Sequence, residues 1–175
     1  MIQLHDKHFI PFISAPEINT EMSRMARQAE EDMGDEVPVF IGVLNGAFMV
    51  VSDFVKHYKK PCEISFVKLA SYEGTATTNA VKQLIGLNQN LKGRNVIIIE
   101  DIVDTGNTIE ELKKMFESQG VKSLKIATLF FKPEAYLKDI KLDYIGFEIP
   151  NKFIVGYGLD YDGLGRNLPE VYQLQ

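Results

Sequence analysis

Cysteine is all but missing. Cys62 stands alone among 175 residues, so no disulfide can staple the chain to itself, and a lone thiol suits a reducing compartment. Long apolar runs are missing too: no stretch approaches the roughly 20 residues of a membrane-spanning helix. The opening Met1 to Ile13 mixes His5, Asp6, Lys7 and His8 into its apolar residues, which is not the pattern of a secretory signal. The expectation is a cytoplasmic protein without a membrane partner. Positive charge is in deficit, since 19 Lys and Arg against 24 Asp and Glu leave a formal net charge of −5. That balance argues against a nucleic-acid partner, so any phosphate has to be held locally. Repeats, low-complexity tracts and linkers are absent as well. A chain of 175 residues suits one domain over 1–175, long enough to bury roughly 70% of its unfolded surface without metal or disulfide.

What is present falls into alternating patterns. Ser14, Pro16 and Glu17 read as a helix start, with Ser14 as N-cap and Glu17 three residues on. Ile18, Met22, Met25, Ala26, Ala29 and Met33 then recur at helical spacing up to Gly34, predicting a helix over 16–33. Val37 to Leu44 reads as a strand, and Phe48, Val51, Phe54 and Val55 as the stripe of a second helix. Ile64 to Leu69 reads as a strand, Glu73 to Ala80 as an exposed mobile loop, and Gln83 to Leu91 as a strand returning from it. Val96 to Ile99 is apolar without a break, as in a strand buried on both faces, and Ile109, Leu112, Met115 and Phe116 line a third helix closed by Gly120. Leu124 to Phe131, Tyr144 to Ile149 and Phe153 to Tyr157 supply further strands. Strands alternating with helices predict an α/β fold, a mostly parallel sheet flanked by helices through right-handed crossovers.

In such a sheet, ligands bind beyond the carboxyl ends of the strands, where loops enter helix N-termini. The run VIIIEDIVDTGNTI, Val96 to Ile109, puts Glu100, Asp101 and Asp104 at such an end, followed by Thr105, Gly106, Asn107 and Thr108. Free backbone N–H groups, two hydroxyls and a flexible glycine make a phosphate cradle. The acids before it can hold sugar hydroxyls or a hydrated Mg²⁺. A ribose 5-phosphate would satisfy both halves at once. Acids that merely complement a helix dipole would explain neither three of them nor the Thr-Gly-Asn-Thr that follows. The chain has no GxxxxGK[ST], and no GxGxxG follows a strand.

Four apolar residues, two acids, two apolar residues and D-T-G-x-T resemble the phosphoribosyl diphosphate (PRPP) motif of the type I phosphoribosyltransferases. Over essentially the whole chain the sequence is similar to the hypoxanthine (6-oxopurine) phosphoribosyltransferases. Val43-Leu44-Asn45-Gly46-Ala47 resembles that family's diphosphate loop, Ser71-Tyr72 its lid dipeptide, and Val155 to Tyr161 its C-terminal signature. The resemblance implies the type I fold with a small hood and a flexible lid loop. It also implies a Mg²⁺-dependent transfer of phosphoribose from PRPP to N9 of a 6-oxopurine, as a homodimer or homotetramer.

Residue by residue, the resemblance implies the following site. Glu100 and Asp101 meet the ribose hydroxyls and, with Asp160, the metal. Asp104 is the general base that takes the purine N7 proton, and Asp104 to Thr108 form the 5′-phosphate loop. Leu44, Asn45, Gly46, Ser71, Tyr72 and Arg166 bind diphosphate. Lys132 reads the 6-oxo group, Phe153 stacks on the purine, the Ile154 backbone meets its edge, and Asp160 completes that end. Without the resemblance, Lys132 would read as a surface lysine and Phe153 as a core residue. Asn45 departs from the lysine that many relatives carry, often after a non-proline cis peptide, which leaves neutralisation of the diphosphate to Mg²⁺, Lys68 or Arg166. A nucleotide-sensing regulator on the same fold is the competing class. Against it stand the acidic charge and the presence of Asp104 and the purine-site residues. Hypoxanthine, guanine and xanthine remain open as substrates.

Overall fold

The computed structural model describes residues 1–70, 82–85 and 89–175, and the side chains of 1–69 and 89–175. In chain order the elements are β1 (Ile2–Leu4), β2 (Lys7–Ile13), α1 (Ala15–Met33), β3 (Val39–Val43), α2 (Phe48–His57), β4 (Glu63–Ala70) and β5 (Lys82–Ile85). They continue with β6 (Asn95–Val103), α3 (Asn107–Glu117), β7 (Ser123–Phe131), β8 (Tyr144–Glu148), β9 (Ile154–Val155) and β10 (Val171–Leu174). Six strands form the main sheet in the order β5-β4-β3-β6-β7-β8. Neighbours β4-β3, β3-β6, β6-β7 and β7-β8 run parallel, and β5 returns antiparallel to β4. This is the α/β sheet flanked by helices that the sequence pattern predicts.

Alternation along the central strands explains why both faces are covered. Phe40, Ile97 and Ile99 pack with residues of α1 and α2 such as Met22, Met25 and Phe54. Val39, Ile41, Val96 and Ile98 pack on the other side with Ile109, Leu112 and Phe116 of α3. Successive side chains of a strand point to opposite faces, so an unbroken apolar run requires a helix on each. Helix α1 begins as its sequence indicates: the Ser14 backbone N–H and hydroxyl donate to the Glu17 carboxylate at 2.9 and 2.5 Å. It ends where Gly34, at φ 57, donates its N–H to Glu30 O.

Four short strands make the hood, in the order β1-β2-β10-β9. Both termini contribute: β10 pairs antiparallel with β2 through Val171–Ile13 and Leu174–Phe9, and with β9 through Tyr172–Val155. Strands β1, β2 and β10 are not among those expected from sequence. In β2 only Phe9 and Ile13 are buried, with Pro11 between them, so no period-two apolar run exists, and the pairing partner lies at the far end of the chain. The strand expected over Phe153 to Tyr157 shrinks to Ile154–Val155, because Gly156, Tyr157 and Gly158 all take positive φ values of 99, 49 and 99°. The returning strand expected over Gln83 to Leu91 is Lys82–Ile85, with 89–91 outside it. The lid dipeptide Ser71-Tyr72 and the loop to Ala80 lie outside the described residues.

Candidate active site

The carboxyl end of β6 carries two acids, Glu100 buried and Asp101 partly buried. Glu100 is only 7% exposed, and its Oε2 has no hydrogen-bond partner among the described residues. Burial first, and the Asp101 charge second, hold its carboxyl well above the ordinary range. Burial also pushes Asp101 up to about 6, opposed by backbone donors and by the Arg166 charge. The Ile102 N–H donates to Asp101 Oδ1 at 2.8 Å. Neither acid is a surface group complementing a helix dipole.

Three residues further on, the chain leaves the sheet and enters α3 through Gly106, whose φ of 84° suits the turn. Glu100 and the run from Ile102 to Ile109 line a pocket of about 100 Å³. Thr105, Gly106, Asn107 and Thr108 are thus gathered around one concavity at a helix N-terminus, where unpaired N–H groups and the helix dipole favour an anion. A support that sequence reasoning misses lies behind it. A Cβ on Gly106 would stand 2.5 Å from the Tyr136 ring and 2.8 Å from Lys138 Cγ. The Leu137 N–H donates to Thr105 O at 3.2 Å, so the segment after β7 braces the phosphate loop. Nothing in its composition marks it.

The second half of the site is assembled from three distant segments. At the end of β3 the Leu44–Asn45 peptide is cis, and the Leu44 N–H donates to Val67 O at 2.8 Å, which brings the end of β4, and Lys68 with it, beside the diphosphate loop. Gly46 lies directly on Asp101: a Cβ there would fall 1.5 Å from Asp101 Oδ2. Gly158 in turn lies on Gly46, with a Cβ position 2.1 Å from Gly46 O. Arg166 pairs with Asp160 at 2.7 Å and donates to Gly158 O at 2.6 Å. Asp160 also accepts the Gly163 N–H at 2.8 Å. The three acids expected to hold a cation are not gathered into one group, and among the described residues no cluster of three or more His, Cys, Asp and Glu is arranged to hold a metal. The reason is local, since Asp160 is turned to Arg166 and to its own loop.

The third part holds the residues expected to meet the base. Lys132 is 7% exposed, and its Nζ donates to Asp104 Oδ2 at 3.2 Å. Asp104 itself is open, with 47% of its side chain exposed. Phe153 is 45% exposed, and its ring centroid lies 5.9 Å from Tyr161 and 6.3 Å from Phe9. Both positions reverse what residue type alone suggests: the lysine is buried beside a carboxylate, and the aromatic is held at the surface by two other rings. Ile154, next to it, is buried.

An acid-lined strand end and an anion cradle on the single turn from β6 into α3, a buried ammonium just after β7 and an open aromatic ring after β8 are the groups that a phosphorylated sugar and a flat base call for. The phosphoribosyl transferase domain family matches residues 13–162, and the chain belongs to that family. Within it, the chain is 42% identical over 159 residues to the hypoxanthine-guanine phosphoribosyltransferase of Streptococcus thermophilus (strain CNRZ 1066), covering 90% of this chain and 88% of that one. A crystal structure of a hypoxanthine-guanine phosphoribosyltransferase from Bacillus anthracis is 39% identical with a TM-score of 0.89, covering 95% of this chain and 98% of that one. The hypoxanthine phosphoribosyltransferase of Staphylococcus aureus gives a TM-score of 0.89 at 35% identity, over 95% and 91% of the two chains.

Proposed function

We propose that this chain, as one domain, transfers 5-phosphoribose from PRPP to hypoxanthine and guanine, giving IMP and GMP and releasing diphosphate, in the salvage of preformed purines. The observation that carries the reading is the meeting of Lys132 with Asp104 at the mouth of the phosphate loop, 3.2 Å apart. One group donates to a 6-oxo oxygen, the other accepts a proton, and both stand beside the anion cradle. The 5′-phosphate sits on the N-terminus of α3. The ribose hydroxyls donate to Glu100 and Asp101, and the Glu100 oxygen without a partner is the acceptor they complete. Phe153 lies flat on the purine, and Lys132 turns from Asp104 to the 6-oxo group. Asp104, freed of that bond, takes the N7 proton as N9 attacks the anomeric carbon. Positive charge develops on the ribose as the diphosphate leaves, so holding the partners in line supplies most of the rate.

Although Glu100, Asp101 and Asp160 form no ready-made cage, Mg²⁺ needs only one or two carboxylates beside its waters and substrate oxygens, so these acids would hold it singly or in pairs rather than as one cluster. When bound, that ion neutralises charge on the diphosphate and ribose oxygens. Arg166 supplies the protein's own positive charge there, since Asn45 contributes a donor but no charge. Leu44, Asn45 and Gly46 offer backbone groups to the leaving diphosphate; Ser71 and Tyr72, expected to join them, lie outside the described residues. The reading includes a cytoplasmic homodimer or homotetramer.

An absorbance assay of the purified protein with PRPP, Mg²⁺ and each of hypoxanthine, guanine, xanthine and adenine tests the reading. Turnover of the first two is expected. Adenine is excluded because its 6-amino group presents a donor to the Lys132 donor. Absence of turnover with every base overturns the proposal, and light scattering at about 20 kDa, the mass of one chain, overturns the oligomer.

A further inference from the structure

Tyr157 occupies a backbone conformation that few side chains adopt. Its φ is 49°, and it lies between Gly156 and Gly158, each at 99°. A left-handed aromatic residue persists only where its surroundings hold it there. Tyr157 is 4% exposed, and its hydroxyl donates to Asp53 Oδ2 at 2.5 Å. The other Asp53 oxygen takes Lys56 Nζ at 2.6 Å. Asp53 stands on α2, the helix that follows the diphosphate loop directly. The bond therefore ties the C-terminal segment to the element that Gly46 leads into.

What this tie controls is the next residue. Gly158 rests on Gly46 with no room for a side chain. Its N–H donates to Arg166 O at 3.0 Å, and its own carbonyl accepts Arg166 Nη1 at 2.6 Å. A shift of Tyr157 thus passes to Gly46 on one side and to the Arg166 guanidinium on the other.

We infer that Tyr157, held by Asp53, is a positioning residue that sets the spacing between the Gly46 loop and Arg166 and thereby the affinity for the diphosphate of PRPP. The inference rests on the substrate reading above. Neither Tyr157 nor Asp53 touches the reacting atoms. Because the tie bears on one end of the site only, it separates from a general contribution to stability.

The test is PRPP titrated calorimetrically into the whole protein with Mg²⁺, beside KM values for PRPP and hypoxanthine and a melting temperature. Tyr157→Phe keeps the ring and loses the hydroxyl, Asp53→Ala loses the acceptor, and Asp53→Asn keeps a carbonyl acceptor. The first two should each weaken PRPP binding about tenfold, the scale of one lost hydrogen bond to a charged group. KM for hypoxanthine should move by less than about twofold, and the double variant should bind PRPP no worse than either single one, as coupled residues do. Asp53→Asn should recover most of the affinity. Wild-type PRPP affinity in Tyr157→Phe and Asp53→Ala, or equal loss for both substrates, overturns the inference whatever the melting temperature does. Should Tyr157→Phe fail to fold, the Asp53 pair decides alone. An unaltered chain that binds no PRPP overturns the substrate reading together with this one, whereas intact binding with inert variants overturns this one only.

Discussion

The two ends of the proposed PRPP site are built in opposite ways. The phosphate end is one continuous run from Glu100 to Thr108, folded by a strand, a turn and the start of a helix. The diphosphate end is a stack of Asp101, Gly46 and Gly158 with Arg166 beside it, drawn from three separate stretches and closed by the approach of Asp101 Oδ2 to within 1.5 Å of the absent Gly46 Cβ position and of Gly46 O to within 2.1 Å of the absent Gly158 Cβ position. The first owes its shape mainly to local geometry, with Tyr136 and Leu137 bracing it from behind. The second has no slack, so a single methyl group anywhere in the stack must displace a functional atom.

Four measurements break or sharpen that contrast. The largest effect belongs to chemistry on the open side of the phosphate loop: Asp104→Asn should lower kcat by about 10²–10⁴-fold, the range of general base catalysis, while calorimetry finds PRPP bound as before. Undiminished kcat would remove Asp104 from the proton's route. Next comes the stack. Gly46→Ala should reduce kcat/KM for PRPP by roughly 100-fold, since misplacement of about 1 Å costs that much, with the circular dichroism spectrum unchanged. A variant of normal efficiency would mean that the diphosphate end yields as easily as the other. Lys132→Ala should then raise KM for hypoxanthine by roughly 10- to 100-fold through loss of a charge-assisted donor, and KM for PRPP far less. Equal effects on both would take Lys132 away from the base. The smallest change is expected from the brace behind the phosphate loop. Tyr136→Phe loses the 2.7 Å bond to Ile140 O but keeps the ring under Gly106, so it should cost about 1 kcal/mol in chemical denaturation and leave both KM values within about twofold. A large rise in KM for PRPP would show that the local end depends on distant support after all.

The same division decides what can be read from the chain. Val96 to Thr108 announces itself because strand, acids, turn and helix start are consecutive, and the α1 capping residues Ser14 and Glu17 are three apart. The hood is hidden because β2 and β10 lie at opposite termini and each is too short and too exposed to show a period. Lys132 and Phe153 mislead by residue type alone: a lysine is buried only when a partner such as Asp104 meets it, and an aromatic stays exposed only where rings such as Phe9 and Tyr161 fix it. Family resemblance places both; composition does not. Gly46 and Gly158 look like ordinary loop glycines until the backbones they touch are known, and the bond from Tyr157 to Asp53 spans 104 residues.

The Glu100 oxygen without a partner has a consequence for folding. A carboxyl group taken from water and left short of a hydrogen bond makes the folded state less favourable, by about 1–3 kcal/mol for an unsatisfied polar group. The free protein is accordingly less stable than its core would allow, and an apolar replacement of similar size at that position would raise its melting temperature while removing the acceptor. In the proposed complex the ribose hydroxyls would supply the missing bond, making PRPP a part of the fold as well as its cargo.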